Sequence, residues 1–493
     1  MTGVGFDAKA QAGKAPAPAR HVEVLVIGAG PAGVAAALAA VRDGAEVLLV
    51  DENPVAAGMM GLDVPLFYGG RYTGAVQAKA RMVEQVFAAN PALAEAMEAG
   101  VEVELGTYCW GAWVPGYGLA SLPGPVAGLS DDARSWLVGF DRLIVAAGAR
   151  DVALAFPGWD QPGVMGARAL ESLVTVYDAF DGRRLVILGS GDLAARTAHL
   201  AVEHGLDVVA VIEAQPATLA PAAAFPAGLD LLVGQAPVLA SGGVHGVERL
   251  TIRDLATGAE RVLACDTVVQ AIGLTPAVEL LDVLGADLAM QPRRGGFAPV
   301  SPDGVATSLP QVRLAGDVAG IDQGADAIGY RQAWSRALAA VGGDAVVICQ
   351  CEEVTRAALL AVRQPTYLGP PSDGMAARDL GGLLADGPAN PDQIKRLTRA
   401  GMGPCQGRRC REQIALTLAG AANLSAETIP LAGYRAPVRP LPLSVLAAWD
   451  EAPVMAAYWD VWFGIKGQWT PYADIGTERE ALYDGLLGGD MHL

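Results

Sequence analysis

The chain has 493 residues, and its 53 acidic residues outnumber its 35 basic residues, which gives a formal net charge of -18. This charge disfavours binding to nucleic acid or to anionic lipid surfaces, because both are negatively charged themselves. The 52% of hydrophobic residues and the 61 glycines exclude a disordered chain and predict several packed domains.

The N-terminal segment, residues 1–20, predicts a flexible tail, because it is rich in Ala, Gly, Lys and Pro and has no apolar stretch of the secretory type. The apolar runs elsewhere, such as residues 34–41, are far shorter than the roughly 20 residues that span a bilayer. We therefore expect no transmembrane segment and a cytoplasmic location.

A strand, a glycine turn, a helix and a second strand follow this tail. In the turn, Gly28 permits a sharp bend, Gly30 lets the backbone approach a pyrophosphate, and Gly33 lets the helix lie close to the strand. Asp51 ends the second strand, where a carboxylate can bind a ribose hydroxyl, and the neighbouring Glu52 is the alternative. The pattern predicts a dinucleotide site with its anion at the helix N-terminus.

A second unit of the same type occurs farther along the chain. Gly189, Gly191 and Ala194 satisfy the GxGxxA form of the turn, and Glu213 ends the following strand. A carboxylate at that place suits an unphosphorylated ribose, so the pattern favours NAD over NADP. Two alternatives stay open: the unit is retained for packing alone, or it holds another adenine nucleotide.

Two apolar strands that flank the second unit end in small or acidic residues. The earlier strand ends in Ala147 and Gly148, where a backbone can pass close to a cofactor, and the later one ends in Gly316 and Asp317. These segments resemble the small-residue strand and the Gly-Asp motif of flavoproteins with two dinucleotide-binding domains. The resemblance favours FAD at the first site and implies that Asp317 binds its ribityl chain. A helix cap is the alternative role for Asp317.

Six cysteines are too few and too unevenly placed for a disulfide framework in a chain of this length. Four of them form a C-x-C pair and a C-x4-C pair: Cys349, Cys351, Cys405 and Cys410. Four thiolates suit an iron–sulfur cluster or zinc, and the C-x-C spacing is unusual for zinc. The pattern therefore favours [2Fe–2S], and Cys109 and Cys265 are interpreted as core residues.

A helix is predicted between the cysteine pairs, with Asn390 as its N-cap and Pro391 at its first position, ending before Gly401. The preceding stretch, residues 367–390, is rich in Gly, Pro and Asp and predicts an exposed loop. Basic residues near the second pair would offset the charge of an anionic cluster. They are Lys395, Arg396, Arg399, Arg408 and Arg409.

The motifs together resemble the larger subunit of heteromeric amine dehydrogenases, a group that includes opine oxidase, hydrogen cyanide synthase and the hydroxyproline and dye-linked proline dehydrogenases. The alpha subunit of heterotetrameric sarcosine oxidase is a more distant relative. The resemblance is carried by the GAGPAG turn, the Gly-Asp motif, the CxCEEVT run and the GMGPCQGRRC run. One departure is Ala57-Gly58-Met59, where relatives tend to have Gly-Gly-Gln beside the flavin ring.

The resemblance implies an α/β fold in which a Rossmann-like unit is inserted into a split FAD domain. A small helical [2Fe–2S] module, similar to bacterioferritin-associated ferredoxin, would follow it. The implied domains are residues 21–152 and 273–342 for FAD, 153–272 for the inserted unit, 343–440 for the cysteine module, and 441–493 for an aromatic tail. The tail's aromatic residues would contact a partner or pack on the chain's own surface.

The resemblance further implies that the substrate is oxidised by a smaller flavoprotein subunit, similar to D-amino-acid oxidase, and that a further small subunit is optional. That partner would oxidise an opine, proline, glycine or sarcosine-like amine. Electrons would pass through FMN at the subunit interface, the cluster and FAD to a quinone or carrier. A membrane-bound acceptor of this kind would associate the protein peripherally with the membrane. No general base or nucleophile is predicted in this chain. The alternative is a self-contained NAD(P)H-dependent reductase.

Overall fold

The computed structural model describes residues 17–54, residues 70–115, residues 124–448 except 132, 325 and 371, and residues 477–479. Most of the predicted N-terminal tail, the Ala57-Gly58-Met59 departure and the aromatic residues of the C-terminal tail lie outside these ranges. Within the described part of the chain, no helix is long and apolar enough to cross a membrane.

Strands and helices alternate along most of the chain. The strands are β1 (Arg20–Ile27), β2 (Val47–Asp51), β3 (Glu102–Leu105), β4 (Tyr108–Trp113), β5 (Val126–Ser130), β6 (Ser135–Val145), β7 (Ala149–Asp151), β8 (Val164–Gly166), β9 (Arg184–Leu188), β10 (Asp207–Glu213), β11 (Leu231–Val233), β12 (Gln235–Gly243), β13 (Gly246–Asp254), β14 (Glu260–Ala264), β15 (Thr267–Gln270), β16 (Leu274–Pro276), β17 (Leu288–Gln291), β18 (Gly296–Pro299), β19 (Val312–Leu314), β20 (Val347–Cys349) and β21 (Val354–Thr355). The helices are α1 (Pro31–Arg42), α2 (Lys79–Ala89), α3 (Pro91–Glu98), α4 (Ala167–Glu171), α5 (Asp192–Glu203), α6 (Glu279–Leu284), α7 (Ala327–Gly342), α8 (Arg356–Leu360), α9 (Asp373–Ala376), α10 (Leu380–Asp386), α11 (Pro391–Thr398), α12 (Arg411–Ala422) and α13 (Leu443–Ala447).

The first sheet has the strand order β3-β2-β1-β6-β5-β4, and β19 adds to it by pairing with β6. Strands β1, β2, β6 and β19 pair in parallel, and β2 is buried along most of its length, as is typical of parallel strands covered on both faces. Strand β19 is far downstream in the sequence, so the sheet formed by the N-terminal strands is completed by a later segment of the chain. This sheet places the ends of β1, β6 and β19 side by side.

The second sheet has the order β11-β10-β9-β15-β8, and all its pairings are parallel. Its central strand β9 buries Leu185, Val186, Ile187 and Leu188 completely. Helix α5 packs against β9 and β10, and the three-stranded antiparallel sheet β12-β13-β14 is formed by the chain between β11 and β15. The second glycine turn therefore lies at the end of β9, as the first lies at the end of β1.

The cysteine-containing part of the chain shares a hydrophobic core with the second sheet. One cluster of buried side chains includes Val186 of β9, Trp334 of α7, and Ile394 of α11. Gln413 fixes the contact by hydrogen bonds, since its side-chain oxygen accepts from the Ala155 amide at 3.0 Å and its amide donates to the Ile348 carbonyl at 2.7 Å. The cysteine loops are therefore held on a rigid support.

Two predictions about local structure have different outcomes. The helix Pro391–Thr398 is confirmed, with the Asn390 side chain accepting hydrogen bonds from two amides of its first turn. The loop predicted over residues 367–390 is wrong in part, because this stretch forms the short helices α9 and α10. Leu380 is buried at 4% exposure within the shared core, and this apolar contact gives the glycine-rich segment a reason to fold.

Candidate functional site

The first glycine turn is close-packed on its inner side. Gly28 has a φ of +109°, and a Cβ atom there would lie 2.3 Å from the Ala146 carbonyl oxygen. A Cβ on Gly33 would lie 1.8 Å from the Gly28 carbonyl oxygen. Both positions therefore require glycine, and the N-terminus of α1 is drawn tightly against the ends of β1 and β6.

The outer side of the same turn is open. Gly30 has an ordinary φ of -65° and caps α1 without any side-chain hydrogen bond, and no atom of the described residues lies within 4 Å of where its Cβ would stand. Free amide groups and the positive end of the helix dipole make such a place a binding site for phosphate groups. The arrangement fits the pyrophosphate of a dinucleotide.

The two acids at the end of β2 have different surroundings. Asp51 organises the turn, since its carboxylate accepts from the Ala29 amide at 2.5 Å and from the Asn53 amide at 2.7 Å. Glu52 instead accepts from Arg439 Nε at 2.8 Å. Because Glu52 is engaged by a residue from the C-terminal part of the chain, Asp51 is the better placed of the two for a ribose hydroxyl.

The predicted small-residue and Gly-Asp positions lie beside this turn. Ala147 and Gly148 follow β6 and are half-buried. Gly316 has a φ of +75° and begins a short 3-10 helix, so Asp317 lies inside that helix rather than at its cap. The Asp317 carboxylate accepts from Arg168 Nη2 at 2.6 Å and is 41% exposed. This leaves it accessible to a hydroxyl-rich ligand chain.

The four cysteines predicted to bind a cluster come together as two contacting pairs. Cys405 donates a hydrogen bond to Cys351, which lowers the pKa of Cys351 to about 7. Cys410 donates to Cys349 and lowers the pKa of that thiol as well. Among the described residues, no three His, Cys, Asp or Glu side chains are grouped as ligands of a single ion. The four thiols form a sulfur-only ligand set, which an iron–sulfur cluster or zinc can take.

Glycine and backbone amides shape the cysteine site. A Cβ on Gly403 would lie 2.3 Å from Cys351 Cβ, so only glycine lets the two cysteine segments approach this closely. The Gly401 amide donates to Cys349 Sγ at 3.4 Å. Helix α12 begins directly after Cys410, and the positive end of its dipole stabilises negative charge there. These features fit an anionic, thiolate-bound cluster.

Arg409 is the predicted basic residue that faces the thiols. Burial lowers its pKa to about 10, against the opposing influence of the nearby cysteines, and its Nε has no hydrogen-bond partner in the described structure. The other four basic residues, which the sequence suggested could offset the cluster's charge, have partners or positions of their own. Lys395 pairs with Asp392, Arg399 pairs with Glu352, Arg408 donates to the Cys405 carbonyl, and Arg396 is exposed.

The second glycine turn repeats the backbone of the first. Gly189 has a φ of +103°, and a Cβ there would lie 2.7 Å from the Ala271 carbonyl oxygen. Ala194 is fully buried in α5. Glu213, the predicted ribose-binding acid, is 1% exposed and accepts hydrogen bonds from within the protein. Gly191 lies beside Leu219.

Comparison with known proteins agrees with this architecture. Residues 22–342 match the model of a family described as pyridine nucleotide-disulphide oxidoreductase. The chain belongs to this family. Residues 373–450 match a second model, described as the sarcosine oxidase A3 domain. The predicted mixed α/β flavoprotein fold is thus confirmed, and the family assignment supports FAD as the cofactor.

Individual relatives confirm the resemblance to amine-oxidising enzymes. The chain is 26% identical to a subunit of opine oxidase from Agrobacterium tumefaciens, over 86% of this chain and 91% of that protein. It is 27% identical to the alpha subunit of sarcosine oxidase from Rhizobium meliloti, over 79% of this chain and 38% of that longer protein. The crystal structure of L-proline dehydrogenase from P. horikoshii shares the fold, with a TM-score of 0.57, 19% identity, and coverage of 87% of this chain and 80% of that one.

Three residues of these sites were not predicted from the sequence. Gly403 had a visible signal, because it lies two residues before a cysteine in a glycine-rich run. Arg439 and Tyr330 had none, because each meets its partner across a long stretch of chain. Contacts of this kind depend on how the domains pack and leave no local pattern.

The Glu52–Arg439 pair gives a test of how the cysteine part is fixed to the first sheet. Burial opposes ionisation of Glu52, but Arg439 and Arg408 outweigh it and lower the Glu52 pKa. Removing the cation in Arg439→Met is expected to reduce the free energy of unfolding by about 1–3 kcal/mol at pH 7, since the carboxylate is left part-buried and unpaired. Thermal or denaturant unfolding measures this difference.

The pH dependence of the same pair has a defined sign. A lowered pKa in the folded state gives stability that is present above the ordinary glutamate pKa and is lost as the pH falls through the lowered value. The stabilities of wild type and Glu52→Gln should therefore converge in acid. Arg184→Met is the control, because its pair with Asp207 is 50% and 62% exposed and should contribute little. Equal losses in both arginine variants would contradict the prediction.

Proposed function

We propose that this chain is the electron-transfer flavoprotein subunit of a heteromeric dehydrogenase or oxidase that acts on a secondary amine or amino acid. The observation that carries the proposal is the meeting of two cysteine pairs, from distant parts of the sequence, in a chain that also has an open dinucleotide turn. The similarity to the opine oxidase subunit over most of both chains supports it.

The first turn and its neighbours would hold FAD. Gly28, Gly30 and Gly33 bring the α1 amide groups to the pyrophosphate, and Asp51 is positioned for the adenosine ribose. Asp317 would accept from the ribityl hydroxyls, and its ion pair with Arg168 would hold the carboxylate in position. When bound, FAD supplies the capacity to take up two electrons and pass them on singly.

The cysteine site would hold a [2Fe–2S] cluster through Cys349, Cys351, Cys405 and Cys410, in a module similar to bacterioferritin-associated ferredoxin. The backbone amide of Gly401, the start of α12 and the guanidinium of Arg409 supply positive charge around the thiolates. Zinc is the less favoured metal, because the C-x-C spacing of Cys349 and Cys351 is unusual for zinc sites. The cluster contributes one-electron transfer.

The two sites are joined by charged side chains. Arg408 donates to the Cys405 carbonyl at 3.0 Å, and its charge acts on Glu52, the neighbour of Asp51. Arg439 binds the same Glu52 carboxylate. These contacts anchor the cysteine loop beside the strand that bears the predicted ribose acid.

The chemistry on the substrate would belong to a smaller flavoprotein partner, with FMN at the interface and a quinone or carrier as the final acceptor. Opines, sarcosine and proline, the compounds in the relatives' names, are secondary amines that carry a carboxylate. We therefore take this as the substrate class. The role proposed for this chain is to bind and tune cofactors, and this role needs no general base or nucleophile.

The decisive experiment is to isolate the native complex without a tag on the C-terminus. Its subunits, FAD, FMN, iron and acid-labile sulfide are then measured, and reduction is followed after adding proline, sarcosine or an opine. We expect a second flavoprotein, two irons per copy of this chain in keeping with a [2Fe–2S] cluster, and reduction by one of these amines. A lone chain without iron would contradict the proposal.

A further inference from the structure

We propose that the second glycine turn is closed by the chain itself, binds no nicotinamide or adenine dinucleotide, and serves as a structural joint to helix α7. The first glycine turn provides the reference, because both turns have the same backbone motif in one molecule. The inference deepens the proposed function, because it excludes a nicotinamide as an electron donor to the flavin. It rests on that function only where it identifies the partner subunit as the remaining donor.

The first difference concerns the acid at the end of the second strand. In the first turn, the amide that follows the leading glycine belongs to Ala29 and donates directly to Asp51. In the second turn, the equivalent amide of Ser190 donates to the Tyr330 hydroxyl at 2.9 Å. That hydroxyl donates in turn to Glu213 Oε2 at 2.6 Å. The tyrosine hydroxyl from α7 therefore bridges the Ser190 amide of the turn and its acid.

Glu213 accepts three hydrogen bonds, as Asp51 does, and differs from it in being buried. Oε2 also accepts from the Ser190 hydroxyl at 2.6 Å, and Oε1 accepts from the Gln215 amide at 2.8 Å. The residue is 1% exposed, whereas Asp51 is half-buried. A ribose hydroxyl would have to displace donors that are themselves buried, and each buried group left unsatisfied costs about 1–3 kcal/mol.

The second difference concerns the place of the pyrophosphate. Above Gly30 no described atom lies within 4 Å of a Cβ position, but the Cβ position of Gly191 is 3.2 Å from Leu219 Cδ2. The Leu219 segment is fixed to the turn, because the Leu219 amide donates to Ser190 Oγ and the Ala220 amide to the Ser190 carbonyl, both at 2.8 Å. The exposed side chain of Leu219 therefore lies beside the position that a pyrophosphate would need.

The joint has a consequence for electron flow. Tyr330 lies in α7, which follows the segment containing Gly316 and Asp317, and its bond to Glu213 ties the inserted unit to that helix. Without a bound nicotinamide, no hydride can be delivered from this unit to a flavin. Electrons must then enter by another route, which the proposed function assigns to the partner subunit.

The test uses the FAD-loaded protein, with its flavin content measured first so that the first turn is occupied. NADH, NADPH and ATP are titrated by calorimetry, and NADH is mixed anaerobically while flavin absorbance is followed. We expect no saturable binding up to about 1 mM, which is weaker than about -4.1 kcal/mol, and no flavin reduction faster than that of free FAD. Absence of iron or of a partner would refute the proposed function but leave this result unaffected.

Two variants make the outcomes specific. If NADH binds saturably and Gly191→Val abolishes that binding, the inference that the turn is closed is wrong. Binding that survives Gly191→Val takes place elsewhere on the protein and agrees with the inference. Tyr330→Phe tests the joint, because it removes one hydroxyl that the Ser190 amide and Glu213 share. We expect a lower melting temperature with unchanged flavin and iron contents. An unchanged melting temperature would overturn the structural role.

Discussion

Replacing Cys405 with alanine is expected to remove iron, acid-labile sulfide and the visible absorbance of the cluster while leaving the flavin bound. Cys405 is 2% exposed and contacts Cys351, so its loss would leave the proposed cluster with three of its four thiolate ligands. The cavity left by one sulfur atom costs little folding energy, on the order of 1 kcal/mol. The protein should therefore fold and keep its flavin, and elemental analysis with visible spectroscopy measures both contents.

A matched control comes from another buried cysteine. Cys265 is 3% exposed in the core of the inserted unit, and burial raises the pKa of its thiol to about 12. Cys265→Ala should keep the full iron content, because this thiol belongs to neither pair. Iron retained in Cys405→Ala would refute the ligand assignment. If the wild type contained stoichiometric zinc and Cys405→Ala lost it, the site would be assigned to zinc and not to an iron–sulfur cluster.

The parts of the sites that local sequence predicted are those whose chemistry is local. A glycine turn between two apolar strands requires Gly28 and Gly33 for backbone reasons alone, and the structure shows the close contacts that impose this. The cap at Asn390 and the proline after it likewise determine where α11 begins. The cysteines had to be grouped because their paired spacing has no packing explanation, and the structure brings the pairs together.

The parts that sequence did not predict depend on contacts between distant segments. Tyr330 reaches Glu213 from α7, and Arg439 reaches Glu52 from the far end of the described chain. The clustering of basic residues in the sequence also does not predict which of them face the thiols, since Arg399 pairs with Glu352. A carboxylate a few ångströms away decides the direction of a long basic side chain, and its position is known only from the fold.

Replacing Gly30 with valine is expected to lower the flavin content at least about tenfold, which corresponds to about 1.4 kcal/mol. Gly30 has a φ of -65° and a ψ of 173°, which any residue can adopt, and no described atom lies within 4 Å of its Cβ position. Valine should therefore be tolerated by the backbone. Its methyl groups would occupy the space above the N-terminus of α1, where the pyrophosphate must lie close to the amide groups.

The equivalent position of the other turn supplies the control for this variant. Gly191→Val changes the same motif position in the turn inferred to be closed, where the Cβ atom would lie 3.2 Å from Leu219 Cδ2. It should leave the flavin content unchanged, because that turn holds no flavin. Flavin extracted from purified protein, normalised to protein with a correct melting temperature, compares the two variants. Equal loss of flavin in both variants would mean that flavin binding depends on the inserted unit. Full retention of flavin in Gly30→Val would show that the first turn is not part of the flavin site.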